Sequence, residues 1–273
     1  MARILLLGGG SFIARAVAKA ANDSGIKCMA LPHDHPLDCL APGDSLLNFA
    51  LTPAYRNCLY NEAADCDLRA ARAAARAGAW FGMLSTRRVY GPQNCWGAQE
   101  DAPAAGDETA YGRNKAITEG GVRDALPARA GIFRLSNVIG YEYEWGGQRR
   151  SFLSIMLTSL KHKNHIQFDM SPATRRDFLP VEICADMLLN RALTRSVGTY
   201  NLGSGFPLSC GALADWIRAG YGGGELVCDP DTVRDEFYLN MDKWRAEFPL
   251  PLNEERLRAY CTGLGRRLKC EKS

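Results

Sequence analysis

A long apolar run is absent from the sequence. No segment reaches the roughly 18 uninterrupted apolar residues that a membrane-spanning helix needs. The stretch MARILLL, which precedes the first glycines, is too short for the apolar region of a signal peptide. We therefore expect a cytoplasmic protein without a membrane partner.

Closely spaced cysteines are also absent, although the chain has ten cysteines. No two of them lie close enough together for a Cys-x-x-Cys redox pair or a zinc knuckle. In a cytoplasmic chain such residues are most simply reduced thiols, most of them buried. The spacing therefore predicts no metal site.

A strong charge of either sign is missing as well. The 33 Lys and Arg residues nearly balance 30 Asp and Glu residues, which leaves a formal net charge of +3. Such a small charge on 273 residues disfavours a nucleic-acid partner, although it leaves room for a local pocket that attracts phosphate. The length suits one large core, or a nucleotide-binding domain with a smaller second lobe.

The first feature that the sequence does contain is a strand, a glycine turn and a helix in succession. RILLL (3–7) ends in Gly8–Gly10, and residues 11–23 have helical periodicity. In dinucleotide-binding folds such a turn lets the backbone approach a pyrophosphate, and the helix N-terminus adds N–H groups and a positive dipole end. The strict Gly-x-Gly-x-x-Gly pattern is not met, because Ser11 and Ala14 replace glycines, so a plain tight turn is the alternative. The candidate cofactor residues here are Gly8, Gly10, Ser11, Phe12 and Ile13.

The later strands follow with one irregularity. The strand-like runs 26–31 and 45–51 are too close together for the usual helix, strand and helix between them, so we expect a sheet that lacks one βα unit near the adenine side. The first run ends in Leu-Pro-His-Asp, which fits neither the acidic residue that binds an adenosine ribose nor the basic residue that favours a 2′-phosphate. A helix over 62–77 and strands over 80–85 and 130–138 complete a doubly wound, parallel α/β sheet.

Tyr111 and Lys115 stand four positions apart in TAYGRNK (109–115). On a helix they would lie on one face, so a phenol and an ammonium could share one cleft. A nearby ammonium stabilises a phenolate, which makes the tyrosine a usable acid or base. Because the pattern is short, a half-buried surface helix with a partly exposed lysine is the alternative.

Two hydroxyl residues, Ser85 and Thr86, stand where the preceding strand ends. The carboxyl ends of strands in an open α/β sheet face the ligand crevice, so both hydroxyls could contact a substrate oxygen. Serine and threonine are also common turn formers at such positions. The order of glycine turn, hydroxyl and Tyr-x-x-x-Lys favours hydride transfer at a carbinol or carbonyl carbon.

With these segments the chain resembles the extended short-chain dehydrogenases/reductases that act on nucleotide-activated sugars. The resemblance implies a Rossmann domain over 1–140 and a mainly substrate-binding lobe over 141–273, with about 175–205 returning to the first domain. It also covers RLSNVIG (134–140), RRDFLPVEICADML (175–188), GTYNLGSG (198–205) and YLNMDKW (238–244).

The resemblance assigns roles to single residues. Thr86, Tyr111 and Lys115 take the catalytic positions, and both Tyr111 and Lys115 also contact the cofactor. A guanidinium suits phosphate oxygens, so Arg175 or Arg176 is a candidate for the substrate diphosphate, with a solvated loop as the alternative. Substrate contacts are expected for Ser85, Thr86, Asn137, Arg175 and Arg176. Relatives often dimerise through the tyrosine helix and its neighbour, which implies a homodimer with the 62–77 helix at the interface.

The sequence departs from the family directly after Thr86. Dehydratases of this family carry an Asp-Glu pair there, whereas this chain has Arg87 and Arg88, which cannot protonate a leaving hydroxyl. We therefore expect reduction of the C4 keto group of a nucleotide-diphosphate deoxysugar by NADP or NAD, with NADPH favoured. The alternatives are a nucleotide-sugar 4-epimerase with tightly bound NAD and a non-catalytic NAD(P)-binding sensor.

Overall fold

A computed structural model describes residues 3–141, 151–228, 232–250 and 252–271 of the chain. Six parallel strands form its central sheet. In order across the sheet they are β11 (Gly198–Leu202), β6 (Ala130–Leu135), β4 (Trp80–Thr86), β3 (Ser45–Asn48), β1 (Ile4–Leu7) and β2 (Cys28–Leu31). This is the doubly wound α/β sheet that the sequence predicts.

Helices cover both faces of the sheet. On one face α1 (Phe12–Asp23) packs against α6 (Val181–Thr194), and on the other α3 (Cys66–Ala77) packs against α4 (Ala110–Ala125). The remaining helices are α2 (Pro53–Asn57), α5 (Phe152–Lys163), α7 (Cys210–Tyr221), α8 (Asp242–Arg245) and α9 (Glu254–Cys270). Short 3₁₀ turns span Leu37–Cys39, Glu62–Ala64, Arg87–Tyr90 and Pro92–Asn94. The predicted 62–77 helix is therefore one such turn followed by α3, with Asp65 as the N-cap of α3.

The side chains of β1 alternate between the two faces of the sheet, which explains why its sequence is apolar throughout. Ile4 and Leu6 belong to the core on the α1 face, whereas Leu5 and Leu7 belong to the core on the α3 face. Successive side chains of a strand point to opposite faces, so a sheet covered on both sides requires apolar residues at every position. The run RILLL was sufficient to locate this strand.

The sheet is short on the β2 side, as the sequence predicts. Among the described residues β2 is an edge strand, paired only with β1. The chain passes from β2 to β3 through a single 3₁₀ turn, Leu37–Cys39, rather than a full βα unit. The strand order reverses between β1 and β3, and ligands bind at such a switch point in open α/β sheets.

The segments after β6 build small two-stranded pieces beside the sheet. β7 (Asn137–Ile139) pairs with β10 (Phe178–Pro180), and β8 (His165–Gln167) pairs with β13 (Glu225–Val227). β9 (Arg175–Arg176) pairs with β12 (Leu208–Ser209), and β5 (Trp96–Ala98) pairs with β14 (Tyr238–Leu239). Helices α7 and α9 pack against each other over this region.

The predicted strand 130–138 is divided in the structure. The amide of Ser136 makes a last hydrogen bond to the main sheet, to the carbonyl oxygen of Leu202 at 3.0 Å, and Asn137 then pairs with Phe178 in β10 instead. Hydrophobic periodicity does not reveal this change of partner, since both pieces are apolar.

Cysteine burial and helix hydropathy complete the description. Four cysteines are buried, and burial raises the pKa of the Cys184 thiol to about 12, while Cys39, Cys58 and Cys270 are exposed. The expectation of mostly buried thiols therefore describes only part of the set. Among the helices of the described residues, none combines the length and apolar character that crossing a bilayer requires.

A fully buried ion pair joins α4 to the sheet. Arg134 of β6 is 1% exposed and Glu119 of α4 is 0% exposed. Two guanidinium nitrogens donate to the two carboxylate oxygens at 3.0 and 2.8 Å, and the guanidinium lies over the ring of Tyr90. Although burial opposes it, the hydrogen bonds and charge of Arg134 keep the pKa of Glu119 below its ordinary value.

We predict that Glu119→Gln destabilises the fold, because it leaves the Arg134 guanidinium buried without a counter-charge. The free energy of unfolding, measured by urea denaturation, should fall by about 3 kcal/mol. Glu62→Gln is the matched control, since it removes an exposed ion pair with Arg72. That variant should unfold at the wild-type urea concentration. Equal effects of the two substitutions would contradict the prediction.

Candidate active site

A cavity of about 560 Å³ opens where β1, β3 and β4 end. Several residues predicted for the site meet in its wall, from three separate parts of the chain. They are Ser11, Phe12, Ile13, Ser85, Tyr111 and Lys115. The topology thus brings the start of α1, the end of β4 and the start of α4 to one edge of the sheet.

The glycine turn leads directly into one side of this cavity, whose wall includes Ser11, the residue that follows Gly10. Gly8 has a φ of 73°, and a Cβ atom there would lie 2.7 Å from the backbone nitrogen of Ala50. The turn therefore requires glycine at this position, both for its left-handed backbone and for its close packing against the backbone that follows β3. Ser11 caps α1 by accepting a hydrogen bond from the amide of Ala14 at 3.3 Å. A tight turn followed by a helix N-terminus suits a dinucleotide pyrophosphate.

Lys115 lies in the opposite wall and is almost completely buried, with 4% of its surface exposed. Its ammonium donates to Asp67 Oδ2 at 2.6 Å and to the carbonyl oxygen of Leu84 at 2.7 Å. Burial alone would lower the pKa of Lys115, but the Asp67 carboxylate and the nearby tyrosines raise it above its ordinary value. The lysine is therefore charged, and the alternative of a partly exposed surface lysine is wrong.

Asp67 was not among the residues predicted for the site. It occupies the first turn of α3, and its other oxygen accepts a hydrogen bond from the Asn48 amide at 2.7 Å. A signal was present in the sequence, since Asp67 shares a helical face with Ala70, Ala71 and Ala74, which are all buried. A carboxylate on an apolar helix face calls for a buried partner.

Tyr111 lies next to Lys115 at the start of α4. The lysine Nζ is 6.0 Å from the centroid of the Tyr111 ring. The helix start is fixed by Thr109, which accepts a hydrogen bond from the Gly112 amide at 3.1 Å, while Asp107 accepts one from the Thr109 amide at 3.0 Å. This capping sets the position of the phenol one residue into the helix.

The two hydroxyls at the end of β4 have different partners. Ser85 is 2% exposed, and its Oγ donates to Glu119 Oε1 at 2.6 Å. Its hydrogen is thus directed into the buried ion pair. Thr86 Oγ1 accepts a hydrogen bond from the Arg88 amide at 3.3 Å, which leaves its own hydrogen for donation to another group.

The two arginines after Thr86 are paired with carboxylates. Arg87 forms an ion pair with Asp235, and its guanidinium lies 4.0 Å from the centroid of the Phe237 ring. Arg88 Nη1 donates to Asp107 at 2.5 Å. Although burial opposes it, hydrogen bonds from Thr109 and Arg88 keep the pKa of Asp107 below its ordinary value. The Asp107 carboxyl is therefore an ionised acceptor rather than a proton donor.

The residues predicted to bind the sugar diphosphate lie in a neighbouring group and not in the cavity wall. Arg176 donates to the carbonyl oxygens of Asp235 and Arg234 at 3.2 and 3.1 Å. Arg175 lies over the ring of Trp96, with the guanidinium carbon 5.3 Å from the centroid. Asn137 is half-buried at the start of β7. The structure thus gathers the two arginines around the segment 234–237.

Asp177, which follows these arginines, is a buried residue that forms hydrogen bonds to the backbone. It is 0% exposed and accepts hydrogen bonds from the amides of Ser204 and Leu239 at 2.7 and 3.2 Å. Burial raises the pKa of this carboxyl above its ordinary value. Besides its two arginines, the motif RRDF therefore contributes a buried carboxyl group that connects two other segments through hydrogen bonds.

Comparison with known proteins places these features in context. The family model described as "NAD dependent epimerase/dehydratase family" matches residues 49–203, which is more than half of the chain. No curated protein sequence matches the chain.

Several solved structures share the fold over nearly the whole chain. A UDP-N-acetylglucosamine 4-epimerase from Bacillus cereus is similar at 15% identity, with a TM-score of 0.81, over 98% of this chain and 100% of that one. A dTDP-4-dehydrorhamnose reductase from Yersinia enterocolitica is similar at 18% identity, with a TM-score of 0.75, over 97% and 100%. A dTDP-glucose 4,6-dehydratase from Bacillus anthracis, in complex with NAD, is similar at 16% identity, with a TM-score of 0.76, over 98% and 97%. At these identities the similarity shows the fold.

We predict that Gly8→Ala weakens binding of a nicotinamide dinucleotide at least about tenfold. The added Cβ would collide with the backbone at Ala50, and an L side chain at this φ is strained by about 1–2 kcal/mol. Titration with NADH or NADPH, followed by tryptophan fluorescence, measures the change. Gly120→Ala is the control, because no atom lies within 4 Å of its added Cβ. Wild-type affinity in the Gly8 variant would exclude the glycine turn from the cofactor site.

Proposed function

The chain belongs to the NAD-dependent epimerase/dehydratase family, and from this premise we propose that it reduces the C4 keto group of a nucleotide-diphosphate deoxysugar. The observation that supports this most directly is the cavity that Tyr111 and Lys115 share with Ser11, the residue that follows the glycine turn. A reduction at a carbonyl carbon needs a dinucleotide, a proton donor and a group that stabilises the donor's conjugate base. This cavity offers residues for each of the three.

Tyr111 is the proton donor in this proposal. Its phenol donates to the sugar oxygen and transfers its proton to that oxygen as the carbon is reduced. The Lys115 ammonium, close to the ring, stabilises the phenolate that remains. When bound, the nicotinamide cofactor supplies the hydride.

Thr86 orients the substrate oxygen. Because its Oγ1 accepts the Arg88 amide hydrogen, its own O–H is available to donate to the same sugar oxygen as Tyr111. Ser85 lies beside it in the cavity wall and presents the lone pairs of an oxygen whose hydrogen is bound to Glu119. We propose that Ser85 contributes to the substrate site as an acceptor.

The diphosphate and sugar of the substrate are assigned to the second half of the chain. We propose that residues 141–273 mainly form the substrate-binding lobe, with Asn137 beside the sugar and Arg175 or Arg176 on the diphosphate. The support is the location of both arginines in β9, where their guanidinium groups are partly exposed and lie over aromatic rings. A planar guanidinium binds phosphate oxygens in a bidentate manner.

The paired arginines after Thr86 argue against a dehydratase. A dehydratase needs an acid and a base to remove water across two carbons. Here Arg87 and Arg88 occupy those positions, and the carboxylates beside them are held in ion pairs. We propose reduction or epimerisation on this ground.

A nucleotide-sugar 4-epimerase with tightly bound NAD is the second candidate. An epimerase would use Tyr111 and Lys115 twice, first in oxidising the sugar and then in reducing the keto sugar. Between the two steps the keto sugar would rotate, so that it accepts the hydride on its other face. Its support is the epimerase fold neighbour, which aligns over 98% of this chain. The residues after β2 do not indicate whether NAD or NADP binds, because His33 and Asp34 are both exposed and lie close to each other.

We predict that Tyr111→Phe lowers turnover about 10²-fold to 10⁴-fold, because it removes the proton donor. The assay follows nicotinamide absorbance with NADH or NADPH and a panel of nucleotide-diphospho-4-keto-6-deoxysugars. Reduced cofactor should be consumed in proportion to sugar, whereas a stereoisomer without net consumption would indicate an epimerase. Tyr60→Phe is the control, since its hydroxyl donates to Asp65 outside the cavity.

The outcome of this assay also separates catalysis from sensing. Full activity of Tyr111→Phe would refute the proposed mechanism. Cofactor binding by the wild-type protein without turnover of any keto or hydroxy sugar would favour the non-catalytic NAD(P)-binding sensor.

A homodimer through the outer surfaces of α3 and α4 is part of the proposal. Ile117 of α4 is 50% exposed on that side of the sheet. We predict that Ile117→Arg converts a dimer to a monomer, because it places a charge in an apolar contact, and light scattering measures the mass. Leu193→Arg is the control, with 53% exposure on α6, across the sheet. A monomeric wild type would refute the dimer.

A further inference from the structure

The Lys115 ammonium is fixed on two sides by the protein. It donates to Asp67 Oδ2 at 2.6 Å and to the Leu84 carbonyl oxygen at 2.7 Å. An ammonium has three N–H donors, so one is left for a ligand in the cavity. The direction of this third N–H follows from the other two.

Asp67 is itself fixed. Both of its oxygens are in use, because Oδ1 accepts from Asn48 and Oδ2 accepts from Lys115. It lies in the first turn of α3, where the helix dipole stabilises a negative charge. With 2% of its surface exposed, Asp67 is shielded from water.

We propose that Asp67 is a positioning residue that acts through Lys115. It keeps the ammonium charged inside the protein and aims the remaining N–H at the cofactor ribose, an assignment that rests on the proposed function of this cavity. The catalytic pair of Tyr111 and Lys115 thereby becomes a group of three, with its third member on a different helix.

The electrostatic reason is the burial of the lysine. A buried ammonium without a counter-charge loses its proton at a lower pH than an exposed one. The titratable and charged groups around it are Asp67, Asp65, Cys66, Tyr55 and Tyr111. Burial raises the pKa of the Tyr55 phenol and of the Cys66 thiol, so both are neutral in the physiological range. Burial also raises the pKa of the Asp67 carboxyl, while the Lys115 charge and the hydrogen bonds from Lys115 and Asn48 favour its ionised form, and Asp67 is the acid that contacts the ammonium directly.

The sign of the pH dependence follows from these charges. With Asp67 present, the pKa of Lys115 is raised, so the ammonium stays protonated between pH 6 and 9 and dinucleotide affinity should change less than about twofold. In the Asp67→Asn variant the pKa of Lys115 falls. The affinity of this variant for the dinucleotide should then decrease about tenfold or more as the pH rises from 6 to 9.

The experiment titrates the full chain with NADH and NADPH from pH 6 to 9 and follows tryptophan fluorescence. The variants are Asp67→Asn, Lys115→Met and the double variant. Asp44→Asn is the matched control, because Asp44 is also 2% exposed and pairs with Arg3 at 2.5 Å, at the opposite end of β3. It should lower the melting temperature without making dinucleotide affinity depend on pH.

The double variant tests whether Asp67 acts through the lysine. Lys115→Met should bind the dinucleotide at least about tenfold more weakly than wild type, and adding Asp67→Asn should change this by less than about threefold. This comparison also decides the matter if Asp67→Asn alone does not fold, because the double variant buries neither charge. A larger additional loss would show that Asp67 acts independently of Lys115.

Two results would overturn the proposal: an Asp67→Asn affinity that parallels wild type at every pH, or a large additional loss in the double variant. The dinucleotide readout needs no sugar. A wild-type protein that binds the dinucleotide but turns over no keto sugar would refute the proposed function alone. If a sugar is reduced, the basic limb of turnover in Asp67→Asn should move down by at least about one pH unit.

Discussion

The buried contact between Lys115 and Asp67 is the interaction on which the site depends. It joins α4 to α3, and through Asn48 it reaches the end of β3. The side-chain oxygen of Asn48 in turn accepts the Ala50 amide at 3.0 Å, and Ala50 is the residue against which Gly8 packs. A short series of contacts therefore connects the lysine to the glycine turn. Buried charges that are fully hydrogen-bonded hold such an arrangement rigidly, because any displacement leaves a charge without a partner.

The sheet determines where these residues meet. All six strands are parallel, so their carboxyl ends lie at one edge, and the order reverses between β1 and β3. The missing βα unit beyond β2 shortens the sheet at that edge and leaves this switch point unchanged. The protein thus keeps the cavity at the switch point although its sheet is shorter on the β2 side.

Charge pairing also shapes the region after Thr86. Arg87 and Arg88 each bind a carboxylate, and one of these carboxylates, Asp235, comes from the far end of the chain. Arg176 donates to the backbone of the same segment. Arg87 and Arg176, from separate parts of the sequence, therefore hold residues 234–237 beside the end of β4, and Arg88 adds a longer contact to Asp235 at 3.7 Å. The arrangement ties the C-terminal part of the chain to the end of β4.

Local patterns in the sequence determined the elements. The apolar run before Gly8, the helical spacing of Tyr111 and Lys115, and the short gap before β3 each depend on neighbouring residues, and the structure agrees with all three. Tertiary structure alone decided the partners of buried polar groups. Asp67 lies 48 positions from Lys115 and Glu119 lies 15 from Arg134, and no spacing in the chain links either pair. Such contacts arise because helices pack on a sheet and against one another at distances that sequence separation does not encode. A charge excluded from water then pairs with the opposite charge that the fold brings near.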